Sequence, residues 1–126
     1  MPARILIVDD DEDTRALLKL VLQSAGFEPV LAAHGGQALA EIRRQKPDAV
    51  LCDILMPVLD GYDTLLAIRA DANAHDVPVL MLSALGQEHD VQRALGAGAN
   101  GYVLKPFAIR MLLDAIHEQL DCHMRR

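Results

Sequence analysis

Five short apolar runs alternate with five segments of helical periodicity along this chain, and that alternation predicts an α/β fold with a doubly wound parallel sheet. The runs are Ile5–Val8, Val30–Ala32, Ala49–Cys52, Val79–Leu82 and Tyr102–Leu104. Four of them lack polar alternation, which is how strands read when helices cover both faces. The connections are short, and right-handed crossovers leave few topologies. With 126 residues and 52% hydrophobic content, the chain has the size of one ordinary domain and enough apolar mass for one core without staples.

Taken in order, the first run, Ile5–Val8, precedes a helix with Leu17, Leu18, Val21, Leu22 and Ala25 on one face, ended by Gly26. Asp11 or Asp13 is placed to cap it. The second run has Pro29 at its start, which suits an edge strand because proline has no amide N–H to donate to a sheet ladder. Gly35-Gly36 reads as loop. Ala38, Leu39 and Ile42 then mark a second helix with Glu41, Arg43 and Arg44 on its other side, stopped by Pro47. After the third run, Leu65, Leu66 and Arg69 mark a third helix. After the fourth, Val91, Ala94 and Leu95 mark another, closed by Gly96-Ala97-Gly98. The fifth run leads to a helix carrying Ile109, Leu112, Leu113, Ile116 and Leu120. No linker, repeat or low-complexity segment interrupts the pattern.

Composition excludes several classes. The formal net charge is −6, against the basic footprint that direct nucleic-acid binding needs. No apolar run approaches the roughly 20 residues that span a membrane, and no signal-peptide pattern opens the chain. These features predict a cytoplasmic protein. Cys52 and Cys122 form neither a disulfide framework nor a metal-ligand spacing, and Cys52 lies in an apolar run as a small core residue. The five histidines are scattered and read as surface residues. Neither GxGxxG nor GxxxxGK[ST] occurs.

The informative residues follow the buried runs. Asp9, Asp10 and Asp11 follow the first, Asp53 the third, Ser83 the fourth and Lys105 the fifth. In a parallel sheet these positions share the carboxyl edge, where ligands bind at the point where strand order reverses. Singly, each has a plain reading: an aspartate or serine after a strand caps a helix or makes a turn, and a lysine before proline is solvated. Together, at the ends of four strands, they predict a site. Crowded carboxylates need a proton or a cation. Mg²⁺ prefers oxygen ligands and accepts carboxylates, phosphate oxygens and water. A hydroxyl and an ammonium beside it would hold phosphoryl oxygens. The residues therefore point to Mg²⁺-assisted phosphoryl chemistry, with a carboxylate as nucleophile.

These pieces resemble the CheY-like receiver domains of two-component response regulators. The matching segments are Ile5-Leu-Ile-Val-Asp-Asp-Asp-Glu12, Pro47 to Gly61 with its D-x-x-M-P-x-x-D-G pattern, Pro78-Val-Leu-Met-Leu-Ser-Ala84, and Gly96 to Phe107 ending in Lys-Pro-Phe. The resemblance runs from Ile5 to about Leu120, and the motifs at this separation are highly specific together. It implies a flavodoxin-like sheet of order 2-1-3-4-5, with the Pro29 strand at an edge. It implies that Asp53 is the phosphoacceptor and that Asp9, Asp10, Asp53 and the backbone carbonyl of Leu55 hold Mg²⁺, with Mn²⁺ as a substitute. Ser83, Ala84 and Lys105 would bind the phosphoryl group, and Tyr102 matches the aromatic switch position. The Lys105-Pro106 bond is expected to be cis. Leu55 and Leu85 match the positions that face attacking water, so a long-lived phosphorylated form is expected.

The resemblance further implies a sensor histidine kinase or phosphotransfer protein as donor. A downstream protein would dock on the surface of the fourth helix, fifth strand and fifth helix. From the composition, neither direct nucleic-acid binding nor a membrane is expected. Asn100 and Gly101 stand where many dimerising relatives carry two acids before the switch aromatic, so a monomer or weak dimer is expected. The expected organisation is a single stand-alone domain over residues 1–126, core at about 4–120, without an output domain. Such a module is not an enzyme beyond catalysing its own phosphorylation and dephosphorylation. Two alternatives fit the residues less well. A Mg²⁺-dependent aspartyl phosphatase needs an acid two residues after its nucleophile, where Leu55 stands. A pseudo-receiver that only binds partners would lack part of the acid and lysine set.

Overall fold

The computed structural model describes residues 2–56, 60–84 and 86–124. Pro57 of the acceptor motif and Leu85 lie outside the described residues. Five strands and five helices alternate: β1 (Arg4–Val8), α1 (Glu12–Ser24), β2 (Glu28–Ala32), α2 (Gly35–Arg44), β3 (Ala49–Asp53), α3 (Gly61–Ala70), β4 (Val79–Ser83), α4 (Glu88–Gly96), β5 (Gly101–Leu104) and α5 (Ile109–Met124). The strands form one parallel sheet of order β2-β1-β3-β4-β5. This is the flavodoxin-like α/β sandwich.

Side-chain alternation sorts the sheet into two cores. Leu6, Val8, Val50, Cys52, Val79 and Met81 point to one face, where Ala38 and Ile42 of α2, Leu65 and Ile68 of α3 and Ala94 of α4 cover them. Ile5, Ile7, Leu51, Leu80, Leu82 and Val103 point to the other, covered by Leu18 and Leu22 of α1 and Leu112 and Ile116 of α5. Every residue of β1, β3 and β4 is buried, which accounts for their continuous apolar runs. β2, with Pro29, is the edge beside β1.

Local chemistry revises the sequence reading in two places. Gly35-Gly36 is the first turn of α2, not loop. The His34 Nδ1 accepts from the Gln37 amide at 3.1 Å, while the Gln37 Oε1 accepts from the Ala33 amide at 2.6 Å. This reciprocal cap outweighs the low helix propensity of two glycines. In α1 the buried stripe is narrower than its apolar residues suggest: Leu17 is 51% exposed and Leu20 62% exposed, while Leu18 and Leu22 are fully buried. Arg69, which marks the third helix in the sequence, turns inward from α3. Its guanidinium donates to the carbonyls of Gly98 (2.9 Å), Val77 (2.7 Å) and His75 (3.1 Å) and to Asn100 Oδ1 (2.7 Å). Asn100 Oδ1 also accepts from the Val79 amide at 2.9 Å. One arginine thus ties α3 to the segments that enter β4 and β5.

Candidate functional site

The carboxyl edge of the sheet gathers the residues that the sequence placed there. β1 ends at Val8 and delivers Asp9, which is only 1% exposed. Asp53 is the last residue of β3 and is 7% exposed. Asp10 is exposed beside them. Carboxylate oxygens of Asp9, Asp10 and Asp53 all lie within 4.8 Å of one another. Lys105, just after β5, reaches back with its Nζ 3.0 Å from Asp9 Oδ2 and 3.5 Å from Asp53 Oδ1. The Lys105-Pro106 peptide is cis. Ser83 ends β4 and is fully buried.

Backbone contacts hold the acids in place. Asp9 Oδ1 accepts from the Asp11 amide at 2.9 Å, and the Asp9 carbonyl accepts from Arg15 at 2.8 Å. Asp11 is the cap of α1, accepting from the Thr14 amide at 3.1 Å. Asp13 sits in the first turn of α1 instead. On the other side, α3 begins hard against the end of β3. The Gly61 amide donates to the Ile54 carbonyl at 2.8 Å. A Cβ on Gly61 would lie 2.3 Å from the Asp53 carbonyl oxygen and 2.6 Å from the Ile54 Cα. Only glycine permits this approach. The Asp-Gly pair in the acceptor motif was the available signal for it, with Asp60 capping α3 through the Asp63 amide at 2.9 Å.

Three carboxylates face one ammonium, so the site carries surplus negative charge. Burial, then the Asp9 carboxylate, pushes the Asp53 carboxyl above its ordinary range, with Lys105 opposing. Burial works against the Lys105 ammonium, but the hydrogen bond to Asp9 and the charges of Asp53 and Asp9 hold its pKa above the usual value. The donor set is hard, all oxygen and anionic, and its oxygens are close enough to share one small divalent cation. These residues fit Mg²⁺.

Around this centre, Ala84 is exposed at the end of β4. Leu55 extends its side chain into solvent at 57% exposure. Beside Lys105, an open groove of about 400 Å³ runs between α1 and the start of α5, lined by Thr14, Leu17, Ala84, Lys105, Pro106 and Phe107. The exposed Leu17 belongs to this groove. Tyr102 of β5 packs partly buried against the core under α3 and α4. Its phenol is hydrogen-bonded to the side chain of Ser83, although burial raises its pKa. The residue that sequence reasoning missed is Tyr62, buried in the same cluster beside Tyr102.

Fold and site together define a flavodoxin-like α/β module with an acidic site that fits Mg²⁺ at its carboxyl edge. The model of the response regulator receiver domain matches residues 5–117, and the chain belongs to that family. It is 44% identical over 113 residues to the transcriptional regulatory protein PrrA of Mycobacterium tuberculosis, covering 90% of this chain and 48% of that protein. The chain spans about half the length of the curated relatives it matches. Among solved structures, chemotaxis protein CheY4 of Vibrio cholerae superposes with a TM-score of 0.90 at 32% identity, over 94% of this chain and 98% of that one. The receiver domain of sensor histidine kinase PA1611 of Pseudomonas aeruginosa gives 0.89 at 35% identity, over 96% and 99%. In that structure a magnesium ion is coordinated in the active site cleft. Among the described residues, no helix is long and apolar enough to cross a membrane.

Proposed function

We propose that this receiver accepts a phosphoryl group on Asp53 from a sensor histidine kinase or phosphotransfer protein and displays the change on α4, β5 and α5. The observation that carries the reading is the placement of Asp53. It is nearly buried, 3.5 Å from the Lys105 ammonium and within 4.8 Å of two further carboxylates. Asp9, Asp10, Asp53 and the Leu55 carbonyl would hold Mg²⁺, with Mn²⁺ as an alternative. When bound, the ion neutralises charge on the phosphoryl oxygens.

An Asp53 carboxylate oxygen attacks the phosphorus of the donor. The new O–P bond forms as the N–P bond to the donor imidazole breaks, and the electron pair returns to the imidazole. Lys105 meets the negative charge on the transferred group, while the Ser83 hydroxyl and the Ala84 backbone amide donate hydrogen bonds to its oxygens. The groove beside Lys105 leaves room for a donor helix next to Asp53. Ser83 already engages Tyr102, so drawing the hydroxyl toward a phosphoryl oxygen removes a partner of the phenol. The ring then redistributes between two positions that both exist beforehand. A downstream protein reads the altered α4-β5-α5 face.

The test is labelling with acetyl phosphate or a histidine kinase in a cytoplasmic-type buffer. Label should appear only with Mg²⁺ and disappear in Asp53→Asn. Full labelling of that variant would overturn the assignment. Tyr102→Ala should weaken the response of partner binding to phosphorylation, and an intact response would remove Tyr102 from the switch.

A further inference from the structure

The described part of α4 is poorly anchored by itself. It has nine residues, a single buried one in Ala94, and an N-cap, Gln87, without a side-chain cap bond. Few buried contacts mean low local stability. What grips this helix is Tyr62 of α3, whose ring is 5% exposed. The Tyr62 hydroxyl donates to the Asp90 carbonyl at 3.3 Å. The Arg93 guanidinium lies 3.8 Å from the centre of the Tyr62 ring. Asp90 and Arg93 are one turn apart, so both contacts fall on one face of α4. The hydroxyl takes a main-chain acceptor and the ring face takes a cation, two different chemistries from one side chain.

The other end of this contact leads to Asp53. Tyr62 follows Gly61, whose amide is bonded to the Ile54 carbonyl and whose Cα is pressed on the Asp53 backbone. α3 therefore cannot slide relative to the end of β3. Tyr62 also shares its packing cluster with Tyr102, Met81, Ala94, Ala97 and Ala99. Any movement of the Tyr102 ring changes the space beside Tyr62.

We propose that Tyr62 is a positioning residue that latches α4 to the end of β3, giving α4 a second connection to the Asp53 site beside the one through Ser83 and Tyr102. The latch stands on geometry alone. Its use in signalling rests on the reading of Asp53 as phosphoacceptor. A tyrosine that merely fills the core would need neither its hydroxyl nor Arg93.

The experiment measures amide hydrogen exchange across the whole chain, first without any ligand. Tyr62→Phe keeps the ring and removes the bond to Asp90. Arg93→Gln removes the cation, and Arg93→Lys restores a cation over the ring. Tyr62→Phe and Arg93→Gln should each speed exchange at Gln92 to Ala97 about two- to fivefold, the effect of one cation–π contact or hydrogen bond at a half-exposed site. Amides of α1 and α5 should keep their rates, and Arg93→Lys should recover most of the protection. Unchanged α4 rates, or equal acceleration in every element, would overturn the latch. The second arm adds beryllium fluoride with Mg²⁺ as the phosphoryl analogue. The analogue should alter α4 exchange in the unmodified protein and alter it less in Tyr62→Phe. An identical response in the two would overturn the relay. No response in the unmodified protein would count against the phosphoacceptor reading, while the first arm still decides the latch.

Discussion

Replacing Asp53, the proposed phosphoacceptor, should make the free protein more stable. In Asp53→Asn a nearly buried charge becomes a neutral amide of the same shape. The Lys105 ammonium, 3.5 Å away, attracts the ionised carboxylate by about 5 kcal/mol at an effective dielectric near 20. Asp9 and Asp10, each within 4.8 Å, repel it by about 3.5 kcal/mol apiece on the same scale. The balance disfavours the charge by about 2 kcal/mol, and exposure of Asp10 screens part of its share. Desolvation of a residue 7% exposed adds to the penalty. A gain of about 1–2 kcal/mol at pH 7 and low salt is expected, or a Tm rise of about 3–8 °C for a domain of this size.

The pH dependence follows from the raised Asp53 pKa. The folded protein keeps this proton to higher pH than the unfolded chain. Its stabilising contribution is complete below the ordinary carboxylate range and is lost as pH rises through the folded pKa. The stability gap between Asp53→Asn and the unmodified protein should therefore open on going from acid to neutral pH. The assay is urea denaturation of both proteins with chelator across that range. Mg²⁺ at a hundred times its Kd should then stabilise the unmodified protein by about 2.7 kcal/mol and the variant by less. A variant of equal or lower stability at pH 7, or a gap that ignores pH, would refute the electrostatic account of the site.

Three further outcomes are expected. Gly61→Ala should lose about 3 kcal/mol or more in urea denaturation, because its Cβ meets backbone atoms of Asp53 and Ile54 that cannot rotate away; a loss under 1 kcal/mol would mean that the approach is not tight. Arg69→Ala should cost about 2–4 kcal/mol by stripping charge-assisted donors from three carbonyls and Asn100, and Arg69→Lys should recover only part, since an ammonium cannot reproduce the fork; full recovery would show that charge alone suffices. Leu55→Asn combined with Leu85→Glu should shorten the lifetime of the phosphorylated protein about tenfold, a change of only 1.4 kcal/mol in barrier, measured as phosphate loss after donor removal at constant Mg²⁺; equal or slower loss would show that these leucines do not set the lifetime.

The carboxyl edge was legible in sequence because a parallel sheet places the ends of its buried runs side by side. Asp9, Asp53, Ser83 and Lys105 each follow such a run, and the register of β1, β3, β4 and β5 brings them together. Composition alone allows several strand orders, and the order itself became legible only through the family resemblance. Other features were hidden because their physics is not periodic. A histidine cap looks like a surface histidine until its ring nitrogen meets the Gln37 amide. Arg69 lies one turn after the buried Leu65, and its role depends on three carbonyls and Asn100 that only tertiary structure brings near. Leu17 fits the apolar stripe of α1 by spacing, yet it is left facing a groove because Leu18 and Leu22 already fill the contact with the sheet.

The same distinction separates how the site is built from how it is read out. Its charges sit on strand ends, inside a core where neighbouring side chains allow little displacement. α4 contributes a single buried residue, Ala94, to that core and is held by Tyr62 through a carbonyl and a guanidinium. Rigid placement suits phosphoryl chemistry, which demands an aligned acceptor and charge partners already in position. Weak anchoring suits a reporter, since a displacement worth one hydrogen bond is a large fraction of what holds α4 in place. A stronger hold on α4 would make the surface insensitive to the charge at Asp53, and a weaker hold would leave it in the same ensemble with or without phosphate. The sequence pattern could reveal the rigid half because burial leaves a periodic trace. The half proposed to respond rests on the contacts of Tyr62 with Asp90 and Arg93, which leave none.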